Sequence, residues 1–184
     1  MTNEELFSDI KKLASESISA HIRITSEDAF RLILNLIVNK SCTSLQALVV
    51  NNSSHKNYLF ESFNDSVFVR NVIDFLEDGE TSFNILTNEP RKLKKSLLFR
   101  DAKSSNLKIK NISDSAYNRI LNNKYQYSYL VGDSKSYIIG EFEDFENDEQ
   151  PKVANFLEEG FCNKLNDFYK IIEKVDVSYT GGAK

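Results

Sequence analysis

Apolar positions along this chain switch repeatedly between helical and strand spacing. Leu6, Ile10, Leu13 and Ile18 recur at helical intervals behind Thr2 and Asn3, which predicts a capped amphipathic first helix. Residues 21–25 (HIRIT) read as a short strand. A second helix, opening near Ser26, carries Phe30, Ile33, Leu34, Ile37 and Val38, which are apolar around enough of its circumference to require burial. Residues 45–50 (LQALVV) lose polar alternation after Gln46, as a strand buried on both faces does.

Beyond the polar stretch NNSSHKN, a wide apolar face of Phe68, Val69, Val72, Ile73, Phe75 and Leu76 predicts another helix, which Gly79 is placed to end in the left-handed conformation. Residues 82–87 (SFNILT) form the next expected strand, followed by a helix with Pro90 in its first turn. A strand over 106–112 and a short helix over 113–123 come next. From Tyr125 to Phe142 strands dominate, in a hairpin about Gly132 and Asp133. An acidic loop then leads to a final helix striped by Leu157, Phe161, Leu165, Phe168 and Ile172.

This order predicts an α/β fold, a layered sheet parallel in its first part and mixed near the C-terminal hairpin, flanked by helices. The 184 residues suit a single domain: an N-terminal helix over 1–20, a core over 21–175 and a flexible tail over 176–184. No apolar run approaches the roughly 20 residues that span a bilayer, and the amino terminus is too polar for a signal peptide. A cytoplasmic protein with no membrane partner is therefore expected. Cys42 and Cys162 stand far apart outside any CxxC pair, so reduced thiols and no zinc site are expected. With a net charge of −4, any nucleic-acid binding requires a local basic patch.

One motif carries chemistry by its frame. Anchored on Asp133, residues 126–143 read Gln126, Ser128, Asp133, Gly140, Glu141 and Glu143 at the spacing HxKx4Dx6G. That spacing resembles the signature of the phospholipase D superfamily, and the alternating elements before it and the helix after it fit the same likeness. In that family the His is a nucleophile and the Lys neutralises phosphate charge. Here Gln126 and Ser128 occupy those two positions, Glu141 stands where a Ser is usual, and Glu143 where an Asn is common. Glutamine cannot attack phosphorus at neutral pH and serine brings no positive charge, so the resemblance implies the fold without the reaction and assigns no catalytic residue. Members pair two such motifs, which implies self-association or another protein subunit for a chain with one copy.

Other candidates are weaker. His21, Arg23 and Asp28 match HxRx4D, but Asp28 is read as a cap for the second helix and no suitable glycine follows. His55 lies beside Lys56 in a polar loop, and no metal-ligand spacing or nucleotide-binding glycine loop occurs, so neither metal nor cofactor is expected. Eight basic residues fall between Arg91 and Lys110, with Asp101 the one acid among them. Arg91, Lys92, Lys94, Lys95, Arg100 and Lys103 are the candidates for contact with an anion or nucleic acid. Residues 141–149 form an acidic counterpart without the spacing of a calcium loop.

The sequence thus favours a non-catalytic phospholipase D-like binding or adaptor module in a larger prokaryotic or phage-related assembly. Two alternatives stay open: a phosphodiesterase or nuclease-type hydrolase with a relocated site around Asp133, Glu141, Glu143 or His55, and a nucleic-acid-associated protein using residues 91–110.

Overall fold

A computed structural model describes residues 2–51, 57–122, 128–140 and 152–175. The first helix, α1 (Asn3–Ser15), starts at a reciprocal cap in which the Thr2 hydroxyl accepts from Glu5 N and the Glu5 carboxylate accepts from Thr2 N. β1 (Ile22–Arg23) and α2 (Glu27–Lys40) follow. Ser26, not Asp28, caps α2, its hydroxyl accepting from Ala29 N at 3.1 Å, while Asp28 adds charge to the first turn.

Next come β2 (Ser44–Val49), α3 (Tyr58–Ser62), α4 (Ser66–Glu77), β3 (Ser82–Thr87), α5 (Pro90–Leu93), α6 (Leu97–Asp101) and β4 (Leu107–Asn111). The α4 helix does not end on a left-handed glycine. Asp78 turns extended (φ −71°, ψ 110°), and the Thr81 hydroxyl donates to the Phe75 carbonyl at 2.6 Å, satisfying a terminal acceptor in place of a glycine turn. The chain closes with α7 (Asp114–Asn122), β5 (Ser128–Gly132), β6 (Ser136–Gly140), β7 (Val153–Asn155) and α8 (Glu159–Val175).

The strands make one mixed sheet in the order β1-β7-β6-β5-β2-β3-β4. β2, β3 and β4 run parallel, as the alternating elements predict, and β5 lies antiparallel against β2. Two details differ from the sequence reading. β1 does not precede the parallel set but pairs antiparallel with β7 at the far edge. Residues 153–155, expected in the approach to the last helix, form β7 against β6. Residues 21–25 do hold a strand as expected, and what differs is its partner; β7 is too short for periodicity to mark, and the sheet edge it completes supplies the reason it is extended.

Each sheet face has its own core. On one face Leu45, Ala47, Val49, Phe83, Ile85, Leu130 and Ile138 pack with α2 and α4, and α1 joins through Ile10 and Ala14. On the other, Leu48, Leu86, Tyr129 and Ile139 meet α7 and α8 through Ala116, Ile120, Cys162, Tyr169 and Ile172. Leu157, expected in the α8 stripe, precedes the helix and is 39% exposed. No helix among the described residues is long and apolar enough to cross a membrane.

Candidate functional site

The register of the β5–β6 hairpin decides what the motif positions can do. Ser128 and Gly140 are cross-strand partners at the edge where β2 and β3 end, whereas Asp133 occupies the turn at the other end of the hairpin. Four strand steps separate Ser128 from Gly132, about 13 Å at the usual rise. Ser128 and Asp133 therefore cannot act on one small substrate. Gln126, Glu141, Glu143 and His55 lie outside the described residues.

Ser128 is only 1% exposed. Its hydroxyl accepts from Val50 N at 3.1 Å and from Asn57 Nδ2 at 2.9 Å, and the Asn57 amide also donates to the Val50 carbonyl. The group thus closes the end of β2 onto β5. At its register partner, a Cβ added to Gly140 would lie 2.5 Å from Phe30 Cε2, so a bare backbone is needed for α2 to seat on the sheet.

Asp133 ties together two loops at the opposite edge. Its Oδ2 accepts from Cys42 N at 2.7 Å, and its Oδ1 accepts from Thr43 N, Thr43 Oγ1 and Ser44 N, each at 2.9 Å. Burial alone would raise its pKa, but these bonds favour the charged form and hold the carboxyl below the usual range. Asp133 and Ser134 take positive φ (50° and 56°), with Lys135 N donating to the Gly132 carbonyl. The left-handed turn is thus at Asp-Ser, and Gly132 stays in the strand. There an added Cβ would meet Ser41 Oγ at 2.3 Å.

His21 is engaged at this second edge. Its Nδ1 lies 3.3 Å from the Tyr137 hydroxyl, which donates to Glu158 Oε2 at 3.1 Å, and Asn155 Nδ2 donates to the same carboxylate oxygen. The Asn155 side-chain carbonyl accepts from Ala20 N. The cluster fastens the α1–β1 connection to the sheet. Among the described residues no group of three or more His, Cys, Asp or Glu side chains could hold a metal ion.

The basic candidates form a flank. Arg91, Lys92, Lys94 and Lys95 follow β3 where it ends, Arg100 lies on α6, and Lys103 lies before β4; all six are exposed. Lys92 pairs with Glu89 at 2.6 Å and Arg100 with Asp101 at 3.1 Å, while Arg91, Lys94, Lys95 and Lys103 make no ion pair with a described residue. Lys103 also borders an open groove of about 480 Å³ whose floor includes Ile73 and Leu76, with Glu77 on its wall. Lys110, on edge strand β4, meets Glu173 of α8.

Sequence reading passed over one set of residues. In the three parallel strands alternate positions on one face are polar: Ser44 and Gln46 in β2, Ser82 and Asn84 in β3, Lys108 and Lys110 in β4. Period-two polarity repeated in three strands is the signal that marks them.

Neither a family model nor a curated protein sequence matches the chain. Among solved structures it is similar to TrmBL2, described as an archaeal chromatin protein that shows a novel mode of DNA binding. The TM-score is 0.54 at 12% identity, over 91% of this chain and 58% of that one. A likeness at that identity shows the fold alone, and this chain spans under two thirds of its neighbour's length.

Proposed function

We propose that this chain is a non-catalytic binding module of the phospholipase D-like kind, acting as a subunit or adaptor within a larger prokaryotic or phage-related assembly. The observation that carries this reading is the engagement of Ser128. The position where the resembled family holds a phosphate-neutralising Lys is a buried hydroxyl bonded to Val50 and Asn57. Asp133 supports it, because its carboxylate is fully occupied by the start of β2. Self-association, or pairing with another subunit, belongs to the same reading. The direct test is hydrolysis of an activated phosphodiester by the purified chain. Background turnover is expected; turnover abolished by His55→Ala, Glu141→Gln or Glu143→Gln establishes a relocated hydrolase instead.

A second reading, association with nucleic acid, is favoured by one observation: Arg91, Lys94, Lys95 and Lys103 are exposed along one flank without an ion-pair partner among the described residues. DNA binding in the description of TrmBL2 agrees with it at the level of that protein only. Binding of a labelled oligonucleotide that weakens with salt and on Lys94→Glu with Lys95→Glu supports this reading. Absence of binding at low salt removes it.

A further inference from the structure

The α4 helix carries more apolar surface than its neighbours cover. Val72, Phe75 and Leu76 are buried, but Ile73 on the same helix is only half-buried. The connection from α6 to β4 runs opposite, and between the two lies the open groove of about 480 Å³. Its apolar floor is Ile73, Leu76 and Ala102, with Glu77 on the α4 side and Lys103 and Ser105 on the other. The size is within the roughly 300–1,000 Å³ of small-ligand clefts.

Both walls are held in place without closing on each other. Thr81 pins the end of α4, its hydroxyl donating to the Phe75 carbonyl at 2.6 Å and to the Asp78 carbonyl at 2.7 Å. Asn106 Nδ2 donates to the Gly79 carbonyl at 2.9 Å, and the Asn106 carbonyl accepts from Phe83 N at 3.0 Å, so one end of the groove is stapled to β3. The Ser104 hydroxyl accepts from Asn106 N at 3.2 Å and sets the turn before β4. A cleft built this way loses little binding energy to ordering. Gly79 and Asn106 precede β3 and β4, whereas the segments 52–56, 123–127 and 141–151 join elements at the opposite end of the sheet. Residues 176–184 follow α8, which packs on the other face.

The charges on the walls select an occupant. Glu77 and Lys103 line one groove and are exposed, yet neither makes an ion pair with a described residue. Glu77 does not act alone: α4 has no basic residue in its last turn, Asp74 and Asp78 are exposed beside it, and a helix C-terminus carries negative partial charge. This side therefore favours a cation. Opposite, the Lys103 ammonium and the Ser105 hydroxyl, which makes no hydrogen bond with a described residue, offer donors to an anion. The floor between them is aliphatic. We propose that the groove binds an aliphatic amino acid or dipeptide as its zwitterion. Its ammonium meets Glu77, its carboxylate meets Lys103 and Ser105, and its side chain covers Ile73, Leu76 and Ala102. The site shares only Lys103 with the basic flank and requires neither nucleic acid nor a protein partner.

Isothermal titration calorimetry of the whole chain tests it, with L-leucine as one arm and leucyl-leucine as the other; the tighter binder separates the free amino acid from the dipeptide. N-acetyl-leucine and leucinamide, which each lack one charge, should bind more weakly than leucine. Glu77→Gln should weaken leucine about fivefold, the scale of a partly exposed ion pair, and erase its advantage over N-acetyl-leucine. Lys103→Met should act alike and erase the advantage over leucinamide. Both side chains are exposed and unpaired with any described residue, so each variant should keep the parent's melting temperature, which separates a lost ligand from a lost fold. No binding of either leucine or leucyl-leucine by the parent overturns the proposal. Leucine binding left unchanged by both variants, or matched by uncharged N-acetyl-leucinamide, overturns it as well.

Discussion

Asp133 grips Thr43 twice: one carboxylate oxygen accepts from both the Thr43 backbone N–H and its hydroxyl, each at 2.9 Å. With the bonds from Cys42 and Ser44, the hairpin turn thereby fixes where β2 begins. Replacing Asp133 by Ala should cost about 2 kcal/mol, since bonds to a charged acceptor are the stronger kind but this one is partly solvated. In a chain of this size that lowers the melting temperature by about 4–8 °C. Asp133→Asn tolerates the positive φ and isolates the charge. The folded carboxyl titrates below its unfolded value, so its stabilisation is present above the usual carboxylate range and is lost as pH falls through it. The melting-temperature gap between parent and Asp133→Asn should therefore shrink from about pH 7 to about pH 3, the carboxylate range. A gap that stays constant sinks the account.

Ser128→Ala removes the partner of a buried backbone N–H at Val50. The expected cost is about 1–2 kcal/mol, measured by denaturant unfolding. Ser128→Lys introduces the residue that the HxKx4Dx6G spacing holds at this position and should do worse, about 3 kcal/mol or more, because it places a charge where the side chain is sealed against Val50 and Asn57. It should yield no phosphodiester hydrolysis. A stable Ser128→Lys protein with turnover would mean that the β5 edge opens on a cleft after all.

Residues such as Ile33, Val72 and Phe83 made the layered α/β architecture legible, because their period records which face of a helix or strand meets a core. Ser26 and Asp28 show the limit of that reading: both can cap α2, and only the backbone path selects Ser26. Ile22 and Arg23 were legible as a strand, but their pairing with Ala154 and Val153 across the sheet is a long-range relation that local spacing does not carry. The motif frame was readable as spacing. The separation of Ser128 from Asp133 was not, since it depends on where the hairpin turns. Lys108 was read as part of a basic run, although its register with Asn84 and Gln46 gives it a different setting from Lys94.

The two cysteines should differ in reactivity. Cys42 is exposed, whereas Cys162, in the first turn of α8, is fully buried against the sheet, and burial first, then the charges of Glu158 and Glu159, push its thiol up to about 12. A thiol so protonated offers almost no thiolate at neutral pH. A colorimetric disulfide reagent should titrate one thiol in the native protein and two in denaturant. Rapid native labelling of both would show that α8 does not pack on β5 and β6 as described.

At Gly140 the packing explanation can be tested apart from the motif spacing. The glycine fits the phospholipase D-like frame, yet its present setting is explained by Phe30, which is 2% exposed and leaves no space for a Cβ. Gly140→Ala should cost about 1–3 kcal/mol by overpacking. If the clash with Phe30 is the cause, Phe30→Leu should cost less in the Gly140→Ala background than in the parent. The double-mutant cycle should give a coupling of about 0.5 kcal/mol or more. Additive costs would show that the glycine serves the backbone of β6 rather than the seat of α2, and packing against Phe30 would no longer explain why this position lacks a side chain.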